Sequence, residues 1–389
     1  MKKIILLLLI FSLTGCYNYN ELNNLAIATG FAIDIKDDEY ELTILISNSQ
    51  KKGSKEEGNS AKAAVYKGTG KTIFSALKDA STAISKQIYV SHIEVLVLSS
   101  EVAKTKTSEV IDFFFRYPQT RNEFYLVLAS NCKASDVFDV TTPLETFPSQ
   151  NISKNLEITD KLQGYTYTVT FNEFIKGIIE EGSNPLLPTI EIIGNTEIGN
   201  KEDNIEQIEP STYLKLGMMS IFNGFNLVGI SNKEQSKGIN IANNKVRTTL
   251  IHTKYDNENI VIELNEAKVS KSVVIKNNIP KFKINIKTEG SIAEVSGNVS
   301  ITDVKVIDEI KKNSEEEIKH LVNEAINYSK ESKTDIFSFG NLVYKKNPKL
   351  WKNIKDKWES EMLNDIEVEI VVDLDLKTKG SIEDIIEVN

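Results

Sequence analysis

The spacing of apolar positions gives its clearest signal near the C-terminus. Ile366, Val368, Ile370, Val372, Leu374 and Leu376 are apolar at every second position, and the odd positions from 367 to 377 are charged except for Val371. That alternation predicts a strand with one buried and one wet face in an antiparallel sheet. Tyr40, Leu42, Ile44 and Ile46 repeat the same period behind an apolar-rich stretch at 25–35. Further strands are expected at 92–98, 123–129, 217–230, 247–252 and 260–275, and around Phe282, Ile284 and Ile286. Helical spacing appears elsewhere. Ile73, Leu77, Ala80 and Ile84 predict an amphipathic helix over 71–87, and 108–115 reads as a short helix stopped near Pro118. Phe171, Phe174, Ile175 and Ile178 mark another helix, and 303–330 is the longest candidate. Asn347 and Pro348 supply an N-cap and a first helical residue for a helix holding Leu350, Trp351, Ile354 and Trp358. Pro143 and Pro148 read as a turn region. Strands and helices mixed without a regular βαβ repeat predict a multidomain α+β fold, with mixed and antiparallel sheets packed against helices.

Breaks in this pattern divide the chain. The Lys, Gly, Ser and Glu cluster at 51–60 predicts an exposed loop. The polar, charged stretch from 194 to 211 predicts a module boundary, with a linker at 196–211 between an N-terminal α+β module at 25–195 and a C-terminal one at 212–389.

The first residues follow neither period. Lys2 and Lys3 precede a run at 4–13 that is apolar except for Ser12. As a helix this run would reach only about 15 Å, half of a roughly 30 Å hydrocarbon core, so it reads as a signal-peptide core and not as a membrane span. Leu13, Thr14, Gly15 and Cys16 match a bacterial lipobox: an aliphatic residue, two small residues that fit a signal peptidase, then the cysteine that receives a diacylglyceryl group. The expectation is a removed leader at 1–15 and a lipidated tether at 16–24. Two acyl chains hold a protein to a bilayer firmly where one holds it marginally. No later uninterrupted apolar run is longer than 124–129, so the lipid is the one expected contact with the bilayer core.

Charge then narrows the partners. The 389 residues carry a formal net charge of −9, which becomes −11 once Lys2 and Lys3 leave with the leader. Nucleic acid and anionic lipid surfaces are polyanions normally met by clustered Lys and Arg, so neither is expected as the main partner.

Catalytic and metal chemistry find little support. The sequence YKGTGKT at 66–72 ends like a phosphate loop, but the required first glycine falls at Val65, and a turn entering the 71–87 helix explains it. Asp373 and Asp375 share the wet face of the last strand beside Lys377 and read as solvated charges. His92, His252 and His320 lack metal-ligand spacing, and no nucleophile elbow is present. Cys132 has no intramolecular partner once Cys16 is lipidated, and reads as a buried, inert thiol. No cofactor, metal or catalytic residue is expected. Trp351 and Trp358 predict core packing against the last sheet, with a partner-binding stripe as the alternative, since a docking helix would expose both indoles.

Several segments in order resemble the C-subunit lipoproteins of spore germinant receptors, the Ger(x)C family. They are GCYNYNELNNLAIATGFAID at 15–34, SHIEVLVLS at 91–99, DFFFRYPQTR at 112–121, FNGFNLVGISNKE at 222–234 and, most specifically, DIFSFGNLVYKKNPKLWKNIKDKW at 335–358. Tyr17 and Asn18 stand where family members often carry Trp and Asp, and Gln119 where an acidic residue is common. The resemblance implies a three-domain α+β fold. It also implies a noncatalytic subunit on the outer face of the spore inner membrane, working with an A subunit and a polytopic B subunit to sense nutrients. Whether this body itself touches a ligand stays open. Candidate partner-contact or motif positions are Arg116, Arg121, Asn347, Pro348, Trp351 and Trp358. A solute-binding lipoprotein feeding a transporter is the alternative; it would show two βα-repeating lobes about a hinge.

Overall fold

The computed structural model describes residues 24–47, 62–297 and 299–377. The leader, Cys16, the tether up to residue 23 and the 51–60 loop lie outside them. The strands are β1 (Leu25–Lys36), β2 (Glu39–Ser47), β3 (Ala63–Gly70), β4 (Gln87–Tyr89), β5 (Val95–Leu98), β6 (Tyr125–Ala129), β7 (Leu186–Gly194), β8 (Thr212–Asn223), β9 (Asn226–Ile230), β10 (Thr248–Tyr255), β11 (Glu258–Lys276), β12 (Ile279–Val295) and β13 (Glu367–Lys377). The helices are α1 (Ile73–Ser81), α2 (Ser100–Thr105), α3 (Thr107–Arg116), α4 (Pro148–Leu162), α5 (Phe171–Ile179), α6 (Thr196–Gly199), α7 (Asp203–Glu206), α8 (Lys233–Ala242), α9 (Val304–Glu331), α10 (Phe339–Lys346) and α11 (Pro348–Lys357). The α+β class expected from the patterning is what the chain forms.

Among the described residues the first sheet runs β3-β2-β1-β5-β6-β7-β8-β9, with β4 beside the start of β1. Its centre, from β1 through β5 and β6 to β7, is parallel, and both flanks are antiparallel. All four residues of β5, VLVL, are buried, as expected of a strand covered on both faces. Leu96 and Leu98 enter one core with Phe31 and Phe114, while Val95 and Val97 enter a second core with Val137, Ile152 and Leu156 under α4. The second sheet runs β10-β11-β12-β13. The larger core continues from the first sheet through α8 and α9 into this second sheet.

Several elements depart from their expected form. The helix expected over 71–87 ends at Ser81, where the Ser81 and Thr82 hydroxyls donate to the carbonyls of Lys78 and Asp79 at 2.6 and 2.7 Å. A strand, β3, precedes it. Gly68 and Gly70 there let the strand touch α1: a Cβ on Gly68 would stand 2.2 Å from the Ala76 carbonyl oxygen. Only Lys71 and Thr72 separate strand and helix, and Thr72 is the N-cap of a capping box, so these glycines serve packing and build no phosphate cradle. Pro148 opens the fifteen-residue α4 in place of an expected turn. The last strand has its expected wet face but pairs parallel to β12, not antiparallel. Along that wet face Lys281, Lys283 and Lys287 meet Glu367, Glu369 and Asp373, each directly opposite in register, at 2.6, 2.8 and 3.8 Å, with Asn285 and Val371 between the second and third pairs.

The polar stretch expected as a linker joins β7 to β8, which pair directly. Buried Asn204 folds it back by exchanging two 2.9 Å hydrogen bonds with the Thr212 backbone. The change of sheet comes after β9, through α8, whose residues 236–242 are all buried.

Candidate functional site

Asp335, fully buried, organises the segment 335–358. Its Oδ1 accepts from the backbone N–H groups of Phe337 (3.3 Å) and Phe339 (3.0 Å), and its Oδ2 from Gly340 (2.6 Å) and from Trp358 Nε1 (2.9 Å). Burial pushes the carboxyl above its ordinary value, and the donors pull against that rise. The resulting turn grips residues 181–184. The Asn184 N–H donates to the Asp335 carbonyl at 3.1 Å, the Asn341 N–H to the Gly182 carbonyl at 3.1 Å, and Trp351 Nε1 to Glu181 Oε2 at 2.8 Å. Gly182, at φ +68°, lies so close that a Cβ would stand 2.5 Å from the Gly340 carbonyl carbon. Glu359 completes the clasp, accepting from the side-chain amides of Asn184 and, at 2.9 Å, Asn223.

This geometry corrects two candidate partner contacts. Trp351 and Trp358 are 4% and 1% exposed, with their rings 5.6 Å apart edge to face and each indole N–H bonded inside the protein. They are core residues of the clasp, as the packing reading expected, and form no docking stripe. Asn347 caps α11 by accepting from the Leu350 N–H at 3.1 Å, and Pro348 is its exposed first residue.

Lys271 is the clasp's half-buried cation, and sequence reasoning missed it. Its ammonium donates to Asn243 Oδ1 at 2.6 Å and to the Phe337 carbonyl at 2.9 Å, 5.4 Å from the Phe337 ring centre. Burial lowers it to about 8, opposed by the Asp335 charge. A lysine depressed in the fold contributes stability that is present above its unfolded value near 10.4 and is lost as pH falls through about 8. The stability of the wild type relative to Lys271→Met is therefore expected to rise by about 3 kcal/mol between pH 7 and pH 10.5, read by urea unfolding at each pH. A pH-independent difference would contradict this.

Away from the clasp a concavity of about 750 Å³ lies between α1 and α3 and is lined by Ile73, Phe74, Phe113, Tyr117 and Arg116. Phe113 stacks on Tyr117 at 5.4 Å, and Phe74 is 47% exposed. The Tyr40 hydroxyl donates to Glu109, which holds the Glu109 carboxyl down, while burial first and this bond second push the Tyr40 phenol up. Arg116 is exposed and paired to Asp112 at 2.6 Å; Arg121 is exposed and does not line this concavity. Phe74 carried no sequence signal, because an exposed ring on an amphipathic helix breaks no period; Tyr40 was legible only as an apolar position of β2, and its bond to Glu109, 69 positions away, was not.

Elsewhere the chemistry is sparse. Among the described residues no group of three or more His, Cys, Asp or Glu is placed to hold a metal ion, and the three histidines are exposed. Cys132 is half-buried, its thiol pushed by burial to about 11. Asp373 and Asp375 pair with Lys287 and Lys377 on the wet face of β13. No helix of the described residues is long and apolar enough to cross a membrane.

Comparison with known proteins gives concordant matches. Residues 18–192 match the family described as spore germination protein N-terminal domain, and residues 217–380 the one described as spore germination B3/GerAC like, C-terminal. Spore germination protein KC of Bacillus subtilis is 25% identical over 98% of this chain and 96% of its own. Spore germination protein B3 of the same organism is 24% identical over 92% of each. The crystal structure of the GerBC protein superposes with a TM-score of 0.53 at 18% identity, covering 92% of this chain and 99% of that one, which shows a shared fold.

Proposed function

The chain belongs to the Ger(x)C family of spore germination proteins, with a role in spore germination, and from that premise we propose that it is the lipid-anchored, noncatalytic C subunit of a nutrient germinant receptor. The observation that carries this reading is the order of its parts: a lipobox ending at Cys16, then the two family regions filling 18–192 and 217–380. The lipid holds the body to the outer face of the spore inner membrane, beside the membrane-embedded A and B subunits. Tethering makes docking nearly intramolecular and raises the effective concentration of a weak contact toward millimolar.

The fold fits such a tether. β1 starts at Leu25 beside β4, at the end where the parallel strands β5 and β6 also begin. Nine residues from Cys16 reach at most about 30 Å, so the loops entering β5 and β6, with Arg121, sit at the bilayer-proximal end. The acidic body adds no broad attraction to anionic lipid. A solute-binding lipoprotein would need two hinged βα lobes, whereas this chain runs one core from sheet to sheet. Labelling with radioactive palmitate is expected to mark the wild type in the membrane fraction and to leave Cys16→Ala unlabelled; equal labelling of both would overturn the anchor.

A further inference from the structure

We propose that the cleft between α5 and the Asp335 clasp is a binding site for a small oxyanion, a carboxylate or phosphate group, held by Lys271, Lys176 and Tyr167. The cleft has a volume of about 420 Å³ and joins the two halves of the molecule, with α5 on one wall and the 336–345 segment on the other. Four lysines and two glutamates line it, in a protein whose overall charge is −9. Both glutamates are engaged: Glu173 by Lys245 and Glu180 by Lys345, each at 3.4 Å. Lys176 and Lys271 make no direct ion pair among the described residues; the Asp335 charge partly offsets Lys271, which leaves Lys176 as the cleft's uncompensated cation.

Lys271 spends two of its three N–H donors on neutral oxygens, those of Asn243 and Phe337. Its buried opposite charge, Asp335, is already occupied by four donors. An incoming oxyanion would accept the third N–H and offset the desolvation that depresses this ammonium. Tyr167 adds an independent observation. It lines the cleft at 7% exposure, and its hydroxyl has no hydrogen-bond partner among the described residues and is not sealed from the cleft. The Lys245 ammonium lies 5.0 Å from the centre of its ring. The two ammonium groups can only donate and the Tyr167 hydroxyl can donate as well as accept, a set that suits an anionic acceptor, and half-buried Leu342 beside them offers apolar surface to an organic body. This site is separate from the tether and does not depend on receptor membership.

Thermal unfolding of the purified full-length protein would test it, with succinate, inorganic phosphate and chloride titrated at matched ionic strength. The expected result is a saturable rise in Tm with succinate, phosphate or both, beyond that with chloride. The apparent Kd is expected to weaken roughly tenfold or more in Lys271→Met and severalfold in Tyr167→Phe and Lys176→Ala. Saturation by succinate alone assigns a carboxylate ligand, and by phosphate alone a phosphate ligand. If Lys271→Met does not fold, the other two variants carry the test, since Lys176 is exposed and Tyr167→Phe keeps the ring. No rise beyond chloride, or an unchanged Kd in the folded variants, would overturn the proposal.

Discussion

Asp335→Ala is expected to lower the unfolding free energy by roughly 3–5 kcal/mol in urea titrations followed by tryptophan fluorescence. The side chain removed accepts four hydrogen bonds inside the protein, from Phe337, Phe339, Gly340 and Trp358. Alanine would leave those donors without an acceptor in a place water does not reach, and each buried unsatisfied group costs about 1–3 kcal/mol, partly relieved by relaxation. Lys271 would also lose the opposite charge that favours its ammonium. Trp358 reports the change directly: its Nε1 loses its partner, and its emission should shift to longer wavelength in the folded variant. Asp335→Asn should cost less, because an amide keeps one accepting oxygen but turns an NH₂ toward two donors. Wild-type stability in Asp335→Ala would mean that the turn closes without the carboxylate.

Gly238→Ala has the second largest expected effect, about 3 kcal/mol of destabilisation. Helix propensity alone predicts the opposite sign, since alanine is favoured over glycine by about 1 kcal/mol in a helix interior. Packing decides the sign. A Cβ on Gly238 would stand 1.9 Å from the Leu321 carbonyl oxygen and 2.6 Å from its carbon, and those backbone atoms of α9 have no rotamer to escape into. The helix is pinned on its other sides as well. The Met219 N–H donates to Ser236 Oγ at 3.1 Å, Asn240 Nδ2 to the Gly164 carbonyl at 3.1 Å, and Lys237 Nζ to the Leu250 carbonyl at 2.6 Å. Room for the methyl must come from parting α8 and α9, the route by which the core passes from one sheet to the other. Urea unfolding of Gly238→Ala reads the effect, and a stability equal to or above wild type would show that the helices yield.

The sequence carried the local part of this fold and lost the long-range part, for physical reasons. Alternation at 366–376 identified a strand and its two faces, but a period of two is silent about the neighbour's direction. The long helical connection between β12 and β13 held that information, because parallel pairing needs a crossover. β3 reads AAVYKGTG and has no alternation, since its register comes from β2 and its glycines from contact with α1. Pro148 signals a turn and a first helical position equally well. The segment 335–358 was legible as a motif, and the Asn347 cap as chemistry. That Trp351 bonds Glu181, 170 positions away, was not, because nothing local encodes a distant acceptor. Lys271 left a readable trace: it shares the parity of Val269, Val273 and Ile275, the inward side of β11. A lysine on an apolar face marks a buried charge in need of partners.

The most direct test of the receptor reading is nutrient-triggered germination of spores in which this chain is replaced by Cys16→Ala at equal abundance, with soluble-body folding checked by circular dichroism. The reading predicts a folded body, loss from the membrane fraction and a severely slowed response to the nutrient, with germination by nutrient-independent triggers unchanged. Wild-type nutrient germination by spores carrying only the unlipidated protein would contradict it.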